Sequence, residues 1–243
     1  MDTLVIVTGG SSGLGRALLD AAPPASTRID VSRSGHGGPD VVHIPADLAD
    51  PDSWEQVGER IAAEVARGDW GRITLIHNAG TLTPIGYAGE TDSDAVTANV
   101  LLNSAAGQVL GHRFLAAVRG VSCRRELVLI SSGAARKAVP GWATYGASKA
   151  AFDLWVRTVG EEQRDRGGTL VVSVAPGVVA TPMQAEIRDT DPHDFPGVAR
   201  FRDLYQRGEL ADPDVTARAL WALLDEPDLT TGSVVDLRDR DAG

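Results

Sequence analysis

The chain has 243 residues, and its 33 aspartates and glutamates outnumber its 23 lysines and arginines, which gives a net charge of −10. This charge is opposite in sign to the basic surface that binds nucleic acid or an anionic membrane, so neither partner is expected. The longest apolar runs fall well short of the ~20 residues that span a bilayer. A hydrophobic content of 43% supplies a sizeable core, and we expect a single domain over residues 1–243.

The cysteine and histidine content argues against disulfide and metal chemistry. Cys123 is the sole cysteine, which rules out an intrachain disulfide and a four-cysteine zinc site. The five histidines include no pair at i,i+4 spacing and no HExxH motif, so no metal site is expected. Residues 1–8 lack the charged flank of a secretory signal, and we expect a cytoplasmic protein.

Short apolar runs alternate with helical patterns along the whole chain. We expect strands near residues 4–7, 28–32, 41–45, 74–77, 127–131, 170–175 and 233–237. Helical patterns lie between them, near residues 14–22, 53–67, 93–118, 144–164 and 214–225. This alternation predicts an α/β protein with a doubly wound, seven-stranded parallel sheet and helices on both faces. Residues 181–210 form a long stretch rich in Asp, Pro and Arg, which is typical of a mobile lid.

A glycine-rich turn follows the first predicted strand and leads directly into a helix. The residues concerned are Gly9, Ser11, Ser12, Gly13, Leu14 and Gly15. Glycine allows a tight turn and a close approach of the backbone, and the helix N-terminus favours an anion such as a pyrophosphate. The sequence therefore predicts a dinucleotide site, although an ordinary Gly/Ser loop is the alternative.

The end of the second strand distinguishes between two dinucleotides. Enzymes that prefer NAD place an acid there to bind the ribose hydroxyls, whereas this chain has Arg33. A guanidinium suits the 2′-phosphate of NADP(H) because it forms charge-assisted, bidentate hydrogen bonds. NADP(H) is the predicted cofactor, and a solvated surface arginine is the alternative interpretation of Arg33.

Tyr145 and Lys149 lie one helical turn apart at the start of a predicted helix. The i,i+4 spacing places the phenol and the ammonium group on one face. A nearby cation lowers the pKa of a phenol, and we expect Lys149 to tune Tyr145 as a proton donor to a developing alkoxide. The strand at 127–131 ends beside Ser132, at the edge where open α/β sheets build their sites.

Together these segments resemble the short-chain dehydrogenase/reductase family, whose fold is a Rossmann fold. The matching motifs run in the family's order: the glycine turn, Asp47-Leu48, Asn78-Ala79-Gly80, Asn99, Ser132, Tyr145 with Lys149, and Pro176-Gly177 with Val179 and Thr181. The resemblance implies that Ser132 polarises a carbonyl, Lys149 also binds the nicotinamide ribose, and Asn99 holds a water in the proton relay. Taken alone, Asn99 would be a polar helix residue.

The remaining motifs of this resemblance concern the cofactor. Asp47 and Leu48 match positions that border the adenine, although Asp47 is also typical of a turn. Asn78, Ala79 and Gly80 match the motif that supports the sheet near the cofactor, and His77 stands where the family usually has Asn. Pro176, Gly177, Val179 and Thr181 match the segment that fixes the nicotinamide, where the alternative is a plain strand-to-helix turn.

Within the family, Gly141-Trp142-Ala143 and the C-terminal third resemble sepiapterin reductases and bacterial benzil reductases. This resemblance implies an NADPH-dependent reduction of a vicinal diketone, an aromatic ketone or a pterin-like side chain. Trp142 is a candidate wall for an aromatic substrate or a core residue. Asp236 matches a pterin-anchoring aspartate, or it is a capping residue.

Three alternatives stay open from the sequence. A ketoacyl reductase acting on an acyl carrier protein is disfavoured because both partners would be acidic. An alcohol dehydrogenase of the same family shares the motifs. A non-catalytic protein that senses NADP(H) would need the dinucleotide fold alone. The resemblance also implies a homodimer or homotetramer built on the helices that contain Asn99 and Tyr145.

Overall fold

The computed structural model describes residues 2–166 and 168–240. The strands among them form one seven-stranded sheet. The strands are β1 (Asp2–Thr8), β2 (Ser26–Ser32), β3 (Val41–Pro45), β4 (Trp70–His77), β5 (Arg124–Ile130), β6 (Leu170–Ala175) and β7 (Val234–Asp236). They are hydrogen-bonded in the order β3-β2-β1-β4-β5-β6-β7, and each neighbouring pair is parallel. The predicted fold class, a parallel seven-stranded doubly wound sheet in one domain, is confirmed.

Helices cover both faces of the sheet. They are α1 (Gly13–Asp20), α2 (Asp52–Arg67), α3 (Ser93–Val100), α4 (Ala106–Ala117), α5 (Ala143–Arg166), α6 (Pro182–Asp189), α7 (Val198–Gln206) and α8 (Pro213–Leu224). The central strands are buried on both sides, which explains why β1 and β5 read as continuous apolar runs rather than alternating ones.

The two faces have separate apolar cores. On one face, Ile61 of α2, Phe114 of α4 and Phe152 of α5 pack against alternate strand residues. On the other face, Leu18 of α1 and Leu220 of α8 pack against the intervening ones. Because every second residue of a strand points to the same face, both cores draw on the same strands and fix their register.

Two helical regions differ from the sequence prediction. The helix predicted over residues 93–118 is interrupted by a π-helical turn, Leu101–Ala105, between α3 and α4. The predicted lid contains α6 and α7. Thr181 caps α6 by accepting a hydrogen bond from the backbone N–H of Gln184, and Pro182 occupies the first turn, where its missing N–H costs nothing.

The order of the strands reverses beside β1, because the chain runs outward through β2 and β3 and then returns to β4. In open parallel sheets a crevice forms at this point, outside the carboxyl ends of the strands. Thr8 and His77, the last residues of β1 and β4, are paired there. In the part of the chain that the structure describes, no helix is long and apolar enough to cross a membrane.

Candidate active site

A cavity of about 900 Å³ opens at the carboxyl ends of the strands. Its walls bring together residues that are far apart in the sequence. Twenty of the predicted site residues line it: Gly9, Ser11, Ser12, Gly13, Leu14, Arg33, Asp47, Leu48, Asn78, Ala79, Gly80, Asn99, Ser132, Trp142, Tyr145, Lys149, Pro176, Gly177, Val179 and Thr181. Gly15 and Asp236 lie outside this wall.

The glycine turn has no room for side chains. Gly9 and Gly13 have φ angles of +71° and +52°, a conformation that favours glycine. A Cβ on Gly15 would lie 2.1 Å from the carbonyl oxygen of Gly9, so the close packing of the helix start against the turn requires glycine at position 15. Ser12, the N-cap of α1, makes no side-chain capping hydrogen bond, so its hydroxyl leaves the first N–H groups of the helix without a side-chain cap.

Thr8, at the end of β1, and Asn78, which directly follows β4, hold this turn in place. The Oγ1 atom of Thr8 accepts hydrogen bonds from the backbone N–H groups of Asn78 and Ala79, each 3.0 Å long. The amide of Asn78 donates to the carbonyl oxygens of Thr8 and Gly9 at 3.2 and 3.3 Å. The Asn78 side chain therefore ties the end of β4 to the glycine turn.

His77 is a buried, neutral part of this support. Its Nδ1 lies 3.1 Å from Oγ1 of Thr8. Because that oxygen already accepts two N–H groups, its own hydrogen is left for Nδ1, which places the imidazole hydrogen on Nε2. Burial first, and the charge of Lys149 second, lower the pKa of His77 to about 3. The ring therefore stays uncharged at neutral pH.

An acidic and a basic side chain at the end of β2 have different surroundings. The carboxylate of Asp30, which is fully buried, accepts hydrogen bonds from the backbone N–H of Gly10 at 2.8 Å and from the hydroxyl of Ser32 at 2.7 Å. Arg33 is exposed and lines the cavity. Within residues 2–166 and 168–240 it forms no ion pair, so its guanidinium is available to an anion.

Ser132, Tyr145 and Lys149 meet at one point of the cavity. Ser132 follows β5, and its hydroxyl lies near the phenol of Tyr145, which is close to the start of α5. The Nζ atom of Lys149 donates to the carbonyl oxygen of Ile130 at 2.8 Å and lies 5.9 Å from the centre of the Tyr145 ring. Helix α5 thus places the phenol of Tyr145 and the ammonium group of Lys149 at the carboxyl end of β5, which Ser132 follows.

The pKa values of this trio correct one expectation. Burial raises the pKa of Tyr145 above its ordinary value, and the Ser132 hydroxyl opposes this only in part. Burial also lowers the pKa of Lys149 to about 8, against the opposing charge of Asp153. The predicted lowering of the Tyr145 pKa by Lys149 is therefore wrong for this structure, because burial of the phenol dominates. A protonated phenol at neutral pH suits a proton donor.

Asn99 is fully buried and tied to the neighbouring loop. Its amide nitrogen donates to the carbonyl oxygens of Thr81 and Thr83, at 3.3 and 2.8 Å. The amide of Asn103, on the π-helical turn, donates to Oδ1 of Asn99 at 2.9 Å and to the carbonyl of Thr81 at 2.7 Å, and accepts the N–H of Thr81. This network fixes the loop that follows Gly80, beside Lys149.

Aromatic side chains form one part of the cavity wall. Trp142 packs edge-on against Tyr145, with ring centres 5.7 Å apart, and stacks on Phe195 at 4.7 Å. Phe201 on α7 packs against both Trp142 and Phe195. All four rings line the cavity. Trp142 is thus packed against other aromatic residues and also lines the cavity, so the core role and the wall role predicted from the sequence are compatible.

Asp236 is bound to arginines. Its carboxylate accepts hydrogen bonds from Nε and Nη2 of Arg238, at 2.9 and 2.6 Å, and from Nη2 of Arg136 at 2.8 Å. The Arg238 hydrogen bonds are the main cause of the lowered pKa of Asp236. Arg238, and not Asp236, lines the cavity. The acid expected to meet a substrate therefore positions a guanidinium beside the cavity.

Sequence reasoning missed several residues of the cavity. Gln184, Phe195, Phe201 and Arg238 all line it. The pair Thr181-Pro182 is an N-cap followed by a helix-start proline, a signal that predicts α6 and hence the position of Gln184. No spacing pattern pointed to Phe195, Phe201 or Arg238, because loops bring these residues to the cavity.

The cavity fits a dinucleotide. The glycine turn offers backbone N–H groups to a pyrophosphate, and Arg33 is free for a further phosphate. Both polar atoms of the Gln184 amide are buried at the cavity without a hydrogen-bond partner in the described residues, which calls for a polar ligand there. Over the same residues no group of three or more His, Cys, Asp or Glu side chains is arranged to hold a metal ion.

Comparisons with known proteins agree with this geometry. Residues 3–192 match the family model described as short chain dehydrogenase. The benzil reductase ((S)-benzoin forming) of Bacillus subtilis is 34% identical, over 97% of this chain and 98% of its own. The sepiapterin reductase of Bos taurus is 29% identical, over 98% and 95%. A crystal structure of a short-chain dehydrogenase/reductase from Saccharomyces cerevisiae is 26% identical and covers 98% of this chain and 97% of its own, with a TM-score of 0.84.

The chain belongs to the short-chain dehydrogenase/reductase family. It is therefore an oxidoreductase with a nicotinamide cofactor, and the predicted family and its benzil and sepiapterin reductase-like subgroup are confirmed.

Proposed function

We propose that the protein is an NADPH-dependent reductase that converts a small carbonyl compound to an alcohol. The substrate is a vicinal diketone, an aromatic ketone or a pterin-like side chain. One observation carries this proposal: the Ser132 hydroxyl lies near the phenol of Tyr145 in a cavity that also contains the glycine turn and the wall of Trp142. A carbonyl oxygen that accepts from both hydroxyls would lie between the cofactor groove and the aromatic rings.

The residues of the chain supply orientation and a proton. A bound reduced nicotinamide would supply the hydride. Ser132 holds the carbonyl oxygen and stabilises the negative charge that develops on it. Tyr145, protonated at neutral pH, donates its phenolic proton to that oxygen. Lys149 binds the ribose of the cofactor and, together with the Asn99 network, serves the relay that returns a proton to the phenol.

The choice of substrate is supported by the relatives and by the wall. Two Bacillus relatives are named benzil reductases, and three vertebrate relatives are named sepiapterin reductases. Diketones with aryl groups and pterins both present flat rings, which pack favourably on Trp142 and Phe195. Arg33, free of ion pairs in the described residues, supports NADPH over NADH.

We also propose a lid and an oligomer. Residues 181–210 carry α6 and α7, and Met183, Phe195 and Phe201 from this segment line the cavity, so its movement would admit the substrate. Val100 and Leu154 are 43% and 66% exposed on the helices that contain Asn99 and Tyr145. A homodimer or homotetramer formed through these helices would bury them, and sedimentation of the wild type and a Leu154→Glu variant tests this.

A substrate panel tests the function. Purified protein is incubated with NADPH or NADH and with benzil, 1-phenylpropane-1,2-dione or sepiapterin, and the absorbance of the reduced nicotinamide is followed. We expect oxidation of NADPH with at least one compound, faster than that of NADH, and its loss in Tyr145→Phe. Binding of NADPH without turnover of any of the three compounds would identify a sensor and contradict the proposal.

A further inference from the structure

The substrate end of the cavity is positively charged although the chain carries a net charge of −10. Apart from Lys149 and the adenosine-side residues Arg33 and Asp47, the charged residues that line the cavity are Lys137, Glu186, Arg200 and Arg238. Three of these four are cations. Such a local excess favours a negatively charged group on the molecule that enters.

Arg238 lies beside the glycine that follows Ser132. A Cβ built on Gly133 would lie 3.3 Å from Nη2 of Arg238, and one on Gly177 would lie 3.2 Å from its Cγ. The side chain therefore lies across two glycines, and Gly133 directly follows Ser132 in the chain. Any larger residue at either glycine would push the guanidinium away from this position.

Asp236 sets the orientation of this guanidinium. Nε and Nη2 of Arg238 donate side by side to the two carboxylate oxygens of Asp236, which is 5% exposed. Arg136 donates to the same carboxylate from outside the cavity wall. The charge of Asp239 also acts on Arg238, so the two guanidiniums and these two carboxylates balance. The Nη1 group of Arg238 makes no hydrogen bond within the described residues, so it remains free to donate.

We propose that Arg238 binds a carboxylate attached to the carbonyl carbon of the substrate, so that the protein reduces 2-oxo carboxylates with an aromatic or apolar side chain. This inference rests on the proposed reductase function and names a substrate class for it. The carboxylate would pair with Arg238 on one side of Ser132, and the side chain would pack on Trp142 and Phe195. A guanidinium binds a carboxylate more strongly than a neutral carbonyl, because both partners are charged.

The reaction is a two-electron reduction. The carbonyl carbon receives a hydride from the reduced nicotinamide, its oxygen receives the phenolic proton of Tyr145, and the C=O double bond becomes a CH–OH group. The product is a 2-hydroxy carboxylate, and the nicotinamide is oxidised. The carboxylate group itself is unchanged, so Arg238 orients the substrate and takes no part in bond breaking.

The test compares two probes that share a phenyl ring and a reducible ketone. Phenylglyoxylate carries a carboxylate where 1-phenylpropane-1,2-dione carries a neutral acetyl group. We expect Arg238→Leu to lower kcat/KM for phenylglyoxylate about 10–100-fold, the loss of one charge-assisted contact, and for the dione at most about threefold. Arg238→Lys, which keeps the charge, should lose less than about tenfold with phenylglyoxylate.

Arg136→Leu is the matched control, because Arg136 binds the same carboxylate of Asp236 without lining the cavity. We expect it to leave the ratio of the two kcat/KM values within about twofold of the wild type. Benzoate should inhibit dione reduction competitively in the wild type, and at least about tenfold more weakly in Arg238→Leu. This second measurement applies even if the leucine variant turns over slowly.

The outcomes separate this inference from the proposed function. Reduction of the dione by a wild type that is inactive on phenylglyoxylate would overturn the inference and leave the reductase function standing. Equal losses on both probes in Arg238→Leu would also overturn it, because Arg238 would then serve substrates of either charge. If the wild type oxidises NADPH with neither of these probes nor with benzil or sepiapterin, both proposals fall.

Discussion

The amide of Asn103 donates a hydrogen bond of 2.9 Å to the side-chain oxygen of Asn99, one turn earlier on the same helical segment. A π-helical turn over Leu101–Ala105 widens the helix at Asn103. Such turns recur at functional sites, where they shift a side chain relative to a regular helix. Here the shift gathers two buried amides, those of Asn99 and Asn103, around the backbone of Thr81.

Replacement of Asn103 should weaken catalysis more than cofactor binding. Asn103→Ala removes three hydrogen bonds around Thr81 and Asn99, and we expect kcat to fall about tenfold or more while KM for NADPH stays within about threefold. Gln108→Ala is the matched control, since its amide donates to Ser104 on the same helix, away from the loop. An unchanged kcat in Asn103→Ala would contradict a positioning role.

Tyr145→Phe should abolish most turnover without emptying the cofactor site. General acid catalysis contributes about 10²–10⁴-fold, and we expect a loss of kcat/KM in this range. Phenylalanine keeps the edge-on packing with Trp142, so NADPH binding followed by tryptophan fluorescence should change by less than about threefold. A comparable loss of binding would show that the phenol acts mainly through structure.

The rate of reduction should decrease at alkaline pH because Lys149 loses its proton. The pKa of Lys149 is lowered to about 8, whereas that of Tyr145 is raised above its ordinary value. We therefore expect kcat/KM to be constant near neutral pH and to fall above pH 8, while the phenol is still protonated. Lys149→Arg should move this decline to higher pH, and a decline that stays near pH 8 in that variant would assign it to another group.

Arg33→Ala should change the choice of cofactor. Charge-assisted contacts with a phosphate contribute about 1.5–3 kcal/mol, so KM for NADPH should rise about 10–100-fold and KM for NADH by less than about twofold. Arg28→Ala is the control, because Arg28 lies on β2, which Arg33 directly follows, and its guanidinium is 3.8 Å from the carboxylate of Asp40. Equal increases for both cofactors in Arg33→Ala would refute the assignment.

His77 should make the folded state less stable in acid. Its pKa is about 3 in the folded protein and near 6.5 when unfolded, so the unfolded chain binds the extra proton between these values. The contribution is fully present above pH 6.5 and is lost as the pH falls toward 3. For this group alone, unfolding should become easier by about 1.4 kcal/mol between pH 7.5 and 5.5.

Urea denaturation of wild type and His77→Asn at these two pH values measures the difference. Other groups titrate equally in both proteins, so their effects cancel in the comparison. The decrease in the free energy of unfolding should be smaller in His77→Asn by about this amount. Identical decreases would mean that the imidazole takes up its proton without unfolding.

The sequence predicted the sheet well because each strand is a run of apolar residues between turn signals. β4 begins at Trp70, earlier than the predicted residue 74. Its first three residues are only half-buried and do not form an apolar run, so the sequence pattern did not reveal the start of the strand. The glycine turn and the trio of Ser132, Tyr145 and Lys149 depend on local spacing and were found. Phe201 and Arg238 depend on loop paths, which no local pattern encodes.

The environment of each side chain was harder to predict than its position. A motif places Tyr145 near Lys149 but does not reveal how deeply both are buried, and burial decides both pKa values. Likewise, Asp236 was expected to bind the substrate, yet its carboxylate forms an ion pair with Arg238, two residues later in the chain. These outcomes depend on neighbours from distant segments.

The hydrogen bond from Gly10 to Asp30 limits how this protein can be redesigned for a different electron donor. Asp30 must stay in place, since a substitute without an acceptor at this position would release the backbone N–H of Gly10 in the glycine turn. An engineer who wants NADH to be preferred therefore has to add a new acid at exposed positions such as Arg33 or Ser34, and cannot recruit the acid that the strand already contains.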